Sequence, residues 1–201
     1  MLGTGTRRMA LALALLGGLV ACQQPPVTQD QFYRLTIGAV AQPAAAPKLA
    51  GTLEVERLAA DGLTAGRPIV YSEAGNDTTL KEYNYHFWVE PPPVMLRDQL
   101  AAYLRAARTA TTVVTPDMRA NADYVAGGRI LRFERVVGAR SAAVVELELW
   151  LRRARDNRLM VLQNYRVEIA AEKDSVTDAV NAMNRAVGTI FARFSEDIAK
   201  T

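Results

Sequence analysis

A single cysteine, Cys22, and a single histidine, His86, leave this 201-residue chain almost without soft metal ligands or nucleophile–base pairs. Structural zinc needs several such ligands at fixed spacing, and no such cluster is present, so neither a metal nor a cofactor is expected. Disulfides are excluded for want of a second thiol. No apolar stretch approaches the roughly 20 residues that a membrane-crossing helix needs; the run from Met9 to Val20 is about a dozen long. Charge of one sign is also missing. The net charge of +3 includes Arg7 and Arg8, and without that pair 22 basic side chains face 21 acidic ones. No basic block remains to act as an electrostatic footprint for nucleic acid.

Catalytic signatures are equally scarce. Gly127-Gly128 precedes a strand pattern, whereas a phosphate loop opens a helix. Ser72, Ser141, Ser175 and Ser195 lack the glycines of a nucleophile elbow. Glu146 and Glu148 share one face of a strand, where Arg132, Arg152 and Arg166 can pair with them as a solvated ion-pair surface. No catalytic residue is assigned, and the chain is expected not to be an enzyme.

What is there begins at the N-terminus. Arg7-Arg8, the apolar run and Leu19-Val20-Ala21-Cys22 compose a bacterial lipoprotein signal, so residues 1–21 are expected to be removed. Cys22 then carries diacylglycerol and its new amine a further acyl chain, such as palmitate. More than one chain makes anchoring stable, each buried methylene contributing about 0.8 kcal/mol. Gln23 stands where an aspartate commonly retains lipoproteins in the inner membrane, which favours the periplasmic face of the outer membrane. Residues 22–31 carry Pro25-Pro26 and no periodicity, and read as a tether. One domain, residues 32–201, follows.

The patterning of that domain predicts strands over Tyr33–Ala39, Leu49–Leu58, Arg67–Glu73 and Leu80–Val89, the last two joined as a hairpin through Ala74-Gly75-Asn76-Asp77. Pro91-Pro92-Pro93 ends the strand and opens a helix over Val94–Arg108. A short buried strand is expected at Thr111–Thr115. A three-stranded antiparallel meander follows over Tyr124–Val137, Ala142–Arg153 and Leu159–Ala170, and a helix over Ser175–Ala199 closes the chain. The stripe Val176, Val180, Met183, Val187, Ile190 and Phe194 admits a coiled-coil partner, but packing on the sheet is favoured. The fold class is therefore α+β, a mostly antiparallel sheet with two main helices on one face.

The stretch Tyr83-Asn84-Tyr85-His86-Phe87-Trp88 carries aromatics at both strand parities. Alternation places Tyr83, Tyr85 and Phe87 on one face and Asn84, His86 and Trp88 on the other. Two readings stand: a strand buried on both faces, or a strand with an additional contact surface on the Trp88 side.

The order of marks along the chain resembles the ABC-type transport auxiliary lipoproteins, the paraquat-inducible protein C-like family. The marks are the Cys22 box and tether, Tyr33-Arg34-Leu35, Gly66-Arg67-Pro68-Ile69-Val70-Tyr71, and Tyr83, His86 and Trp88 ahead of Pro91-Pro92. Val94-Met95-Leu96, Leu100, Ala122-Asp123-Tyr124, Phe133-Glu134 and the alanine-rich last helix complete them. Phe87 departs from the pattern, since the family often has arginine before the tryptophan. The resemblance implies a non-catalytic part that docks a mammalian-cell-entry (MCE) protein and its ABC permease and ATPase at the outer membrane, in a system moving lipids between two membranes. Tyr83, His86, Trp88 and Pro92 are the candidate interaction surface, for that partner or for a second copy in a homo-oligomer. The rival classes are a lipid- or glycan-binding chaperone of the periplasm and an envelope hydrolase.

Overall fold

The computed structural model describes residues 28–40 and 43–201. The expected signal, the lipidation site Cys22 and most of the tether lie outside the described residues. The elements are β1 (Gln31–Tyr33), β2 (Leu49–Val55), β3 (Pro68–Glu73), β4 (Asn76–Trp88), α1 (Pro92–Ala106), β5 (Ala110–Val114), β6 (Tyr124–Val137), β7 (Ala142–Arg153), β8 (Leu159–Ala170) and α2 (Val176–Ile198). This is an α+β fold of two helices on one sheet.

The meander β6–β7–β8 forms the antiparallel half of the sheet, with the bounds its alternation predicts. Val145, Leu147, Leu149 and Leu151 of β7 are all 0% exposed, which turns their face to the helices. β6 is long enough to serve two partners along its other edge. Its start pairs in parallel with β2 and its end in parallel with β3. The sheet therefore forks: β2 continues to β5, while β3 continues through the antiparallel β4 to a parallel β1. The sheet is mixed, with its longest ladders antiparallel.

Helix α2 buries its whole expected stripe, from Val176 to Phe194, in the common core and packs over β6, β7 and β8. A coiled-coil partner has no face left to meet. Ser175 caps the helix, its Oγ accepting from the Asp178 backbone N–H at 3.0 Å. α1 starts with Pro92 and Pro93, whose missing N–H groups would have no partner there. Its Leu96, Leu100 and Leu104 are fully buried, and Tyr103 meets Phe191 of α2 edge to face at 5.9 Å.

The first expected strand is corrected. Only Gln31–Tyr33 pairs; the next residues cross the helix layer, with Leu35 buried. Their amides find side chains instead of a ladder: Thr36 N–H donates to Asn184 Oδ1 at 3.0 Å and Ile37 N–H to Gln99 Oε1 at 3.3 Å. These side-chain acceptors stand in for a strand ladder. β5 sits at a sheet margin, and its Thr111 and Thr112 are exposed, so it is only partly buried.

Candidate functional site

Strand β4 positions the candidate residues, and it is not regular. Pro68 pairs with Phe87 and Val70 with Glu82, so the single residue Ile69 of β3 faces four residues of β4, Tyr83 to His86. Such an excess bends the strand and resets its alternation. Tyr83 is thereby carried to the same side as His86, and the two rings meet edge to face at 5.3 Å.

Around this pair four separate segments converge. The Tyr33 hydroxyl lies 2.8 Å from His86 Nδ1 and also donates to Gln31 Oε1 at 2.7 Å, which leaves Nδ1 as the donor to Tyr33. The Tyr71 ring packs on Tyr83 at 4.5 Å. Arg135 of β6 is buried and divides its guanidinium among three partners. It donates to Tyr83 Oη at 2.8 Å, to Ser141 Oγ at 2.9 Å, and to Asp174 just before α2. Burial, and then the Arg135 charge, hold His86 below the ordinary histidine pKa. Burial raises the Tyr83 hydroxyl, against the opposing pull of Arg135. The result is a hydrogen-bonded aromatic knot on the helix side of the sheet, in register with the N-terminal strand: Gln31 pairs with His86. A second buried charge lies one residue away, where Glu134 accepts from Ser72 Oγ at 2.9 Å and from Arg132.

The candidate surface is corrected at two positions. Trp88 is 1% exposed and stacks on Phe133 at 5.2 Å, so it belongs to the core. Pro92 is buried in the first turn of α1. Tyr83 and His86 remain half-buried neighbours. The exposed aromatics are on the face opposite Trp88: Tyr85 is 46% exposed and Phe32, stacked on Phe87, is 55% exposed. The contact surface, if drawn by exposure, moves from the tryptophan side to the Phe87 side. Arg135, Asp174 and Tyr33 were not singled out by sequence reasoning as site residues, since no spacing links them.

Among the described residues no group of three His, Cys, Asp or Glu side chains is placed to hold a metal ion, and no helix is long and apolar enough to cross a membrane. An open hollow of about 410 Å3 on the helix side is lined by Val40, Tyr103 and Ser195, and neither Tyr83 nor His86 borders it.

The fold recurs in solved structures. The chain is similar to protein XCC0632 from Xanthomonas campestris, with a TM-score of 0.71 and 19% identity over 82% of this chain and 92% of that one. It is similar also to an uncharacterized protein, with a TM-score of 0.68 and 19% identity over 85% of this chain and 99% of that one. At that identity the likeness is one of fold. No curated protein matches the sequence. The model of one family, however, matches residues 33–199, from the tyrosine that touches His86 to the end of α2. The chain thus belongs to the family described as the ABC-type transport auxiliary lipoprotein component.

Proposed function

We propose that this protein is an outer-membrane-anchored, non-catalytic docking component of an ABC/MCE-type system that moves lipids between membranes. The observation that carries the reading is the family match across nearly the whole domain. Membership makes it an envelope lipoprotein associated with an ABC transporter. The finer points are the outer membrane, the MCE partner and the absence of catalysis. Gln23 in place of aspartate supports the outer membrane. A non-catalytic role accords with Arg135, which divides its guanidinium among three partners, and with His86, whose Nδ1 bonds Tyr33 and ties β4 to β1.

Lipid on Cys22 fixes the domain beside one leaflet and raises its effective concentration for a partner arriving there. Affinity capture of the tagged, lipidated protein from detergent-solubilised envelopes tests the partnership. Recovery of an MCE-domain protein with ABC permease and ATPase is expected. Their repeated absence, with the domain folded and abundant, contradicts the reading.

A further inference from the structure

The face of the sheet opposite the helices carries, at the point where the chain enters it, an apolar row. Phe32 of β1 lies beside Phe87 of β4, and Phe87 beside Pro68 of β3, in direct register. The two phenyl rings are 5.8 Å apart at 30°, and the Arg67 guanidinium sits 5.4 Å over the Phe32 ring. Arg67 Nε is held by the Trp88 carbonyl at 3.1 Å. A cross-strand aromatic pair helps to hold a three-residue strand at a sheet margin. That role does not account for Tyr85, two residues before Phe87, or for the 55% of Phe32 left in water.

Chain length indicates what covers this row. Cys22 and Phe32 are ten steps apart along the chain, a stretch that reaches at most about 35 Å when fully extended. A domain of this size is about 40 Å across. The tether therefore keeps the corner bearing β1 within about 35 Å of the leaflet that holds the lipid, where it can reach the surface. Phenyl rings beside a tyrosine whose hydroxyl supplies a polar edge, with an exposed arginine, suit the interfacial zone of a bilayer. Asp30, Glu82 and Glu90 are exposed nearby in sequence and so are Arg34, Arg67 and Lys81, a balance of charge that suits zwitterionic headgroups.

We propose that Phe32, Phe87 and Tyr85, with Arg67, form a second membrane contact that seats the domain against the leaflet holding its lipid anchor. This rests on the reading of Cys22 as lipidated. The contact sets the orientation in which the rest of the domain faces the periplasm.

The test uses the full lipidated protein in phosphatidylcholine vesicles with brominated acyl chains. Phe32→Trp places a reporter in the row, and Leu162→Trp places one on β8, at the other margin of the sheet, where Leu162 is 52% exposed. The contact predicts that the added fluorescence at position 32 is quenched by about half or more, while that at position 162 is unchanged. Flotation with the vesicles and an unquenched, acrylamide-accessible reporter at 32 overturns the contact but leaves the anchor standing, and leaves the row for a protein partner. Equal quenching at both positions also overturns it, as unspecific adsorption. Failure to float refutes the anchor, and the second contact with it.

Discussion

Tyr83 and His86 meet edge to face at 5.3 Å, although an unbroken strand would send residues three apart to opposite faces. The cause is the excess of β4 residues over Ile69, and the consequence is a knot that ties the N-terminal strand to β4 and β6. Through Tyr33 it reaches the entry of the chain, and through Arg135 and Asp174 the approach to α2.

His86 makes that knot sensitive to pH. Its pKa lies below the ordinary 6.5 in the folded protein, so the native state binds fewer protons than the unfolded chain. Stability contributed by neutral His86 is complete above about pH 6.5 and is lost as the pH falls toward the lowered folded value. Denaturant titrations from pH 7.5 to 5 should show a falling midpoint in the wild type and a flatter profile in His86→Gln. Parallel slopes in the two proteins would refute this.

Arg135→Met removes a buried cation and leaves Tyr83 and Ser141 without their donor. A loss of about 2–4 kcal/mol is expected by urea unfolding. Asp174→Asn should cost less than about 1 kcal/mol, because the Asp174 side chain is 75% exposed. The asymmetry is the checkable point.

Trp88→Ala should destabilise the domain by about 3–5 kcal/mol, since the indole is enclosed and stacked on Phe133. A surface tryptophan would cost far less on truncation. Calorimetry of the variant separates the two.

Gly127 and Gly128 respond differently to an added methyl. A Cβ at Gly127 would come within 2.4 Å of the Trp150 ring, and one at Gly128 within 2.2 Å of the Glu148 carbonyl oxygen. Gly127→Ala should cost about 1–3 kcal/mol and be partly rescued by Trp150→Leu, which clears the space. Gly128→Ala should be worse, and Trp150→Leu should not rescue it, because its obstacle is backbone. Thermal melts of the four proteins decide.

The meander and the last helix were legible because their signals are long and local. Val145 to Leu151 alternate without a break against Glu146 and Glu148, and Ser175 precedes an apolar stripe of about five turns. The parallel pairings of β2 and β3 along one edge of β6 were not legible, since they join distant segments that carry no shared pattern. Residues after Tyr33 read as a strand because apolar alternation is all that sequence displays; the helix side chains Asn184 and Gln99 that satisfy their amides lie far along the chain. The exchange of roles between Trp88 and Phe87 has a similar origin. Parity separated the two aromatic faces correctly at residues 85–88, but which face the helices cover is set by tertiary packing.

The most direct test of the account is density-gradient fractionation of envelopes from cells with and without this protein, following the proposed MCE-domain partner. With the wild type, part of the MCE protein should sediment with outer membrane, and that part should vanish on deletion or with Cys22→Ala. An unchanged MCE distribution in the deletion strain would contradict docking at the outer membrane.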